Sequence, residues 1–349
     1  MSMGNTLSLA QRERIFSQCQ AVFPAWRAYS ANDFSWDAPK GFSSFTLGIR
    51  AKHPLDPPAV LYRQLEGKEN AILDFETEKR VFLELGTQDI AARCYHYDAT
   101  ARFEAFYFGR TLRSEELFQP ETLRKIAHEL YRFHQLRPSG LPEASLFELI
   151  YKKWGALAKQ VLENHLDAFP PEERPLAEEL RGLYSPELFS RIQAALPKGP
   201  LTFCHNDTYH GNIMQLENGA LKLLDFEFSC LNHKVYDFSN LFAETVMQHQ
   251  QPEYPYFRIA EPAFGDYEIG ILLNAYLGYA QFDSSEARAG EFTRLLTQTK
   301  QMLKFSDYKY ALAAIPLALA PIQKIRFIPY AYQRYQRFLQ ALEADEAQR

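Results

Sequence analysis

The hydrophobic positions divide the chain into an extended first part and a helical second part. Residues 59–63 and 103–108 are short apolar runs with the length and ring content of strands, and small residues at 41–44 mark a turn between extended segments. Residues 74–85 place Phe75, Val81, Phe82 and Leu85 at helical spacing, which predicts one helix beside those strands. Gly109 and Arg110 end the 103–108 run, so the expected division is a β-rich lobe over 1–108 and a second lobe over 109–349.

Beyond Pro120, a residue that costs no hydrogen bond in a first helical turn, Leu123, Ile126, Ala127, Leu130 and Phe133 recur with helical period. Pro138, Gly140 and Pro142 interrupt the pattern, and helices are predicted over 146–162, 175–184 and 186–196. The fold class expected is α+β, a small antiparallel sheet lobe with one helix plus a larger, mostly helical lobe. Residues 201–228 are the exception within the second lobe. A strand over 201–204 leads into a polar loop, 205–211, and Asn218-Gly219 is the strongest hairpin signal in the chain. Taking those two as a two-residue turn sets Asn212 opposite Asp225.

Residues directly opposed in an antiparallel pair have Cβ atoms roughly 4.5–5.5 Å apart, so this register brings an amide oxygen and a carboxylate to one point. Hard oxygen donors suit Mg²⁺, which fills its remaining positions with water and phosphate. Asp207, on the loop feeding that point, is placed to accept the proton of an attacking hydroxyl. Singly, an Asp in a loop is most often a turn former. His-x-Asp, then Asn five residues after the Asp, then Asp-Phe across a hairpin is a far rarer conjunction. A competing reading takes His205, Asp207, His210 and His233 as ligands of a transition metal in a hydrolase. It leaves Asn212 and Asp225 unused, and His205 is expected instead to hydrogen-bond the loop backbone.

Composition narrows the classes. With 38 basic and 43 acidic residues the chain carries −5, which gives no electrostatic footprint for nucleic acid. Four scattered cysteines, Cys19, Cys94, Cys204 and Cys230, match neither a zinc site nor a disulfide framework. The first residues lack the apolar core of a secretory signal, and the longest apolar run, 310–322, is short of the ~20 residues of a span and holds Pro316 and Pro321. A cytoplasmic protein with no membrane span is expected. The 27 Phe and 20 Tyr mostly predict a core of large rings, with an aromatic box for a cationic ligand as the sharper alternative.

The motif His205-x-Asp207-x-x-x-x-Asn212 with Asp225-Phe-Glu227 resembles the signature of the choline/ethanolamine kinase family, part of the protein-kinase-like superfamily. The likeness extends through Phe23-Pro-Ala-Trp-Arg27, Gly41-Phe-Ser-Ser44, Val60-Leu-Tyr-Arg63, Phe103-Glu-Ala-Phe106 with Arg110, and Tyr236-Asp-Phe-Ser-Asn-Leu-Phe-Ala-Glu244. It implies a bilobal kinase-like fold and an ATP- and Mg-dependent transfer of the γ-phosphate to the hydroxyl of choline, ethanolamine or a related amino alcohol, in phospholipid biosynthesis. Asp207 would be the catalytic base, and Asn212 and Asp225 would hold the metal. Lys40, Gly41, Ser43 and Ser44 would cover the phosphates, with Arg63 the cation on them and Glu78 its partner, Glu76 being the alternative. Residues 103–111 would face adenine, with Glu104, Phe106 and Arg110 among the nucleotide-binding set. Asp237 would brace the catalytic loop.

For the acceptor, the resemblance implies Tyr209, Glu244 facing the cationic head, and Phe327 and Tyr332 from an aromatic stretch that also holds Tyr330 and Tyr335. Three departures stand out: one glycine, Gly41, where the family has a pair; Ala318 and Pro321 where it carries two tryptophans; and Tyr209 where choline kinases commonly have Gln. These keep alive a kinase of the same fold acting on an aminoglycoside or a sugar, and a nucleotide-binding protein without activity. A homodimer is left open.

Overall fold

A computed structural model describes residues 7–37, 45–65, 72–249, 251–320 and 325–348. The chain divides into two compact units, Met1–Gly109 and Arg110–Arg349.

The first unit is an antiparallel sheet of β1 (Phe34–Trp36), β2 (Thr46–Ala51), β3 (Ala59–Gln64), β4 (Cys94–Tyr97) and β5 (Ala101–Ala105), ordered β1-β2-β3-β5-β4. Helix α1 (Leu9–Val22) adds Phe16 and Cys19 to a core with Trp26, Phe34, Ile49, Val60 and Phe103. Trp26 is fully enclosed because its indole N–H also finds a partner, the carbonyl of Pro57 at 3.1 Å. Helix α2 (Phe75–Thr87) starts where Asp74 accepts the Thr77 amide at 3.0 Å, and it buries Val81, Phe82 and Leu85. The strand expected over 103–108 ends at Ala105.

The second unit opens with β6 (Gly109–Thr111), then α3 (Pro120–His134) and α4 (Leu146–Asn164). Helix α3 buries the predicted stripe, and Ser145 and Glu148 form a reciprocal cap at the start of α4. The helix expected over 175–184 runs only as α5 (Arg174–Glu179), tightening to 3₁₀ over Leu180–Tyr184, where Gly182 weakens α-helix. After α6 (Pro186–Ala195) come the short strands β7 (Thr202–Cys204), β8 (Ile213–Leu216), β9 (Leu221–Leu223) and β10 (Cys230–Asn232). Next are α7 (Val235–Ala243), β11 (Met247–His249), β12 (Phe257–Ile259) and α8 (Asp266–Leu277). The 33-residue α9 (Ser285–Leu317) packs against α7 and against α10 (Phe327–Ala347). No helix among the described residues is long and apolar enough to cross a membrane.

Candidate active site

The loop between β7 and β8 is held from beneath by α7. Asp237, fully buried, accepts the amides of His205 at 2.8 Å and Asn206 at 2.7 Å, and meets His134 Nε2 at 3.0 Å. Burial alone would push this carboxyl up, but the His134 hydrogen bond and charge outweigh it and hold the group below its usual range. Thr208 Oγ1 donates to the Asp237 carbonyl at 2.5 Å, and Asn240 Nδ2 donates to the Thr208 carbonyl at 2.9 Å. Asp237 and Asn240, three residues apart on α7, are therefore buried and spent on the loop. Asn206 takes the left-handed backbone that asparagine tolerates, φ 65°, with its side chain bonded to the Phe228 carbonyl and Asn232. Gly211 lies close under Tyr209: an added Cβ would sit 2.5 Å from that ring, which would have to shift.

Asp207 projects from this braced loop and is nine-tenths buried. Asn212 Nδ2 donates to its Oδ2 at 2.7 Å and to its carbonyl at 2.9 Å. From α9, Lys309 Nζ reaches Oδ1 at 2.6 Å and the Tyr310 hydroxyl donates to the same oxygen at 2.5 Å. Sequence reasoning missed both residues. The available signal was a lysine between two tyrosines, Tyr308 and Tyr310, followed by Ala311 and Leu312.

The hairpin corrects the expected register. Strands β8 and β9 pair Ile213 with Leu223 and Gln215 with Leu221, one residue short of the predicted alignment. Gly219 adopts φ 79° and its amide bonds the Leu216 carbonyl at 2.8 Å, while the Leu216 amide bonds the Ala220 carbonyl. The connection is thus a three-residue loop ending in a left-handed glycine, not a two-residue turn. Asn212 consequently faces Leu224, whose amide bonds the Asn212 carbonyl at 2.9 Å, and not Asp225. Asp225 lies one residue further on, where its own left-handed backbone, φ 63°, turns the chain. His205 joins the Asp207 loop to Leu224, the residue before Asp225. Its Nε2 donates to the Leu224 carbonyl at 2.8 Å and its Nδ1 accepts the Asp207 amide at 3.2 Å.

The donor set fits Mg²⁺. The Asn212 amide nitrogen is spent on Asp207, so the amide oxygen is what this side chain offers a cation, and Asp225 adds a carboxylate. The transition-metal alternative has no such support, because both His205 nitrogens bond the backbone. Among the described residues the buried histidine, cysteine and carboxylate group is His134, Cys204 and Asp237, and the His134 nitrogens are taken by Tyr276 and Asp237.

In the first unit, Arg63 lies 3.7 Å from Glu104, and Arg102 lies 2.7 Å from Glu104 and 3.8 Å from Glu78. All four are buried, which makes them one charge cluster and not a surface pair. Phe106 stacks under the Arg50 guanidinium, 5.2 Å from the ring centroid, and in the second unit Arg110 forms a two-pronged pair with Glu116 at 2.7 Å. Lys40, Gly41, Ser43 and Ser44 lie outside the described residues.

Of the residues expected at the acceptor, Glu244 is occupied by a cation of the chain itself. Arg334 donates to both its oxygens at 2.9 Å and to Asp307 at 3.0 Å, and its guanidinium lies 4.8 Å from the ring centroids of Tyr310 and Tyr330. Arg334 is fully buried on the apolar stripe of α10, between Tyr330 and Phe338. Burial raises the Glu244 carboxyl, against the pull of Arg334. Phe327 is buried, and the Tyr332 hydroxyl donates to Glu179 at 3.2 Å. Burial pushes the Tyr209 hydroxyl up, with the charges of Asp207 and Asp225 next in weight.

His249, on β11, has its ring against Tyr330, and burial, then Arg334 and His210, lower it from 6.5 to about 4. Between those values the unfolded chain holds a proton that the folded chain does not, so stability rises with pH across this window. At pH 5 the lost stability is expected to be about 2 kcal/mol. Urea unfolding at pH 7 and pH 5 checks this: His249→Gln should recover most of that acid loss, and an unchanged slope would refute it.

A sheet unit and a helical unit, with a braced His-x-Asp-x-x-x-x-Asn loop leading into a hairpin and an Asp beyond it, form the framework of the kinase-like phosphotransferases. The chain matches the choline/ethanolamine kinase family over residues 42–339 and belongs to that family. It is 26% identical to mouse choline kinase alpha over 78% of this chain and 60% of that protein. It is 25% identical to human choline/ethanolamine kinase over 80% of this chain and 71% of that one. Its fold is that of the choline kinase from Cryptosporidium parvum, with a TM-score of 0.72, 21% identity and 96% of each chain covered.

Proposed function

We propose that this chain is an ATP- and Mg-dependent kinase that transfers the γ-phosphate to the hydroxyl of choline, ethanolamine or a related amino alcohol. The observation that carries the reading is the Asp207 carboxylate, held on a braced loop beside the Asn212 amide, with the carbonyl of Leu224, the residue before Asp225, tied to the same loop through His205. Family membership supplies the acceptor class.

Asp207 accepts the proton of the attacking hydroxyl as the oxygen bonds to the γ-phosphorus, and ADP leaves; transfer of this kind depends chiefly on positioning and charge neutralisation. Asn212 and Asp225 would hold Mg²⁺, which neutralises phosphate charge when bound. Arg63, Glu104, Phe106 and Arg110, together with Lys40, Gly41, Ser43 and Ser44, are proposed for the nucleotide. Tyr209, Glu244, Phe327 and Tyr332 are proposed for the acceptor, Glu244 through the ion pair that shapes its side of the site. The protein would work in the cytoplasm and without nucleic acid.

One observation favours a second acceptor class. Because Arg334 already fills the carboxylate and aromatic cage at Glu244, an acceptor without an ammonium group, such as a sugar, or a larger one such as an aminoglycoside, would not compete for it. Coupled ADP release over a panel of choline, ethanolamine, an aminoglycoside and a sugar separates the two. The first reading expects the highest kcat/KM with an amino alcohol; a sugar or aminoglycoside turned over at rates no amino alcohol reaches would replace it.

A further inference from the structure

The geometry points to Lys309 and Tyr310 as positioning residues that fix Asp207 so that Oδ2, and not Oδ1, faces the acceptor hydroxyl. The inference rests on the kinase reading above and adds which atom does the work and what aims it. An ionised carboxylate accepts about four hydrogen bonds, two on each oxygen. Oδ1 receives two, from Lys309 Nζ at 2.6 Å and the Tyr310 hydroxyl at 2.5 Å. Among the described residues Oδ2 receives one, from Asn212 at 2.7 Å. The position left for a substrate hydroxyl is therefore on Oδ2, the oxygen beside the amide that would hold the metal.

Both donors are themselves held. Lys309 is fully buried, with its ammonium 4.6 Å from the Phe228 ring centroid and 4.3 Å from that of Tyr310, and its second hydrogen bond goes to the Asn206 carbonyl at 2.7 Å. A buried ammonium needs its carboxylate partner in place, so Asp207 cannot turn away without leaving that charge unpaired. The Tyr310 hydroxyl accepts from Asn240 Nδ2 at 3.2 Å, and Asn240 Oδ1 in turn accepts from Ser306 at 2.8 Å. Its ring lies against the Arg334 guanidinium, 4.8 Å from the centroid. Two adjacent residues of one long helix thus close one oxygen of the base, more than burying a lysine requires.

Tyr310→Phe removes one hydroxyl and keeps the ring, so the fold is retained; Lys309→Met is the stronger lesion. With an acceptor that wild type phosphorylates, Tyr310→Phe is expected to lower kcat about tenfold to a hundredfold, the range of a hydrogen bond to a charged group. The KM for ATP and the thermal midpoint should stay close to wild type. A structural role would not reproduce the second readout: in an Asp207→Asn background, Tyr310→Phe should have little further effect on the residual rate, because both changes act through one carboxylate. Lys309→Met is expected to lose more in kcat per folded molecule, with ADP binding retained. A Tyr310→Phe enzyme within twofold of wild type, or a full additional loss in the Asp207→Asn background, overturns the assignment while leaving the kinase reading intact. A wild-type enzyme that phosphorylates no acceptor overturns both.

Discussion

Asp207→Asn is expected to lower kcat by roughly 10²- to 10⁴-fold, the range that a positioned general base contributes, with ATP still bound. Asparagine is the informative choice because its amide oxygen still accepts from Lys309 and Tyr310. Both variants remove the negative charge beside the fully buried Lys309 ammonium, but alanine also removes its hydrogen-bond acceptor, mixing more instability with lost chemistry. The measurement is single-turnover transfer with saturating ATP and acceptor, beside equilibrium binding of ADP. A variant that transfers within threefold of wild type would remove Asp207 from the chemistry.

Arg334→Met is expected to cost about 3–5 kcal/mol of stability, as breaking a buried ion pair generally does. The guanidinium is fully buried and makes three hydrogen bonds to two carboxylates, and Met leaves Glu244 enclosed without its cation. Asp307 is less affected, since Arg337 Nε also reaches it at 3.2 Å. Adding Glu244→Gln should recover part of the loss by removing the uncompensated charge. Urea denaturation of the single and double variants tests this. A single variant as stable as wild type, or a double variant less stable than the single, would contradict it.

Much of this was legible in the chain. The pattern announced α2, α3, α4 and α6; the apolar stripe named for α3 is buried, as are Val81, Phe82 and Leu85 of α2, while Phe75 is half-buried. The loop motif announced Asp207 and Asn212 because their chemistry is local, five residues apart. The hairpin was legible as a hairpin but not in register: Asn-Gly serves both two- and three-residue loops, and the left-handed Gly219 selects the longer one. Lys309, Tyr310 and Arg334 escaped because their partners lie far away in sequence, and helical periodicity reads them as core or surface positions. A charge on an apolar stripe, as at Arg334 between Tyr330 and Phe338, is the pattern that would have exposed them. Asp237 and Asn240, three residues apart, fall on one face of a helix, yet only packing shows that this face is turned inward.

The central claim is that Asp207, Asn212 and Asp225 together move phosphate onto a hydroxyl. Its most direct test is a phosphorus NMR time course with ATP, Mg²⁺ and choline or ethanolamine, run on wild type and on Asp225→Ala. The account predicts that wild type converts the γ-phosphate, one for one, into a phosphomonoester of the acceptor, and that Asp225→Ala or removal of Mg²⁺ nearly abolishes the signal. A wild-type enzyme that releases only inorganic phosphate, or an Asp225→Ala enzyme that forms the phosphomonoester at the wild-type rate, would contradict it.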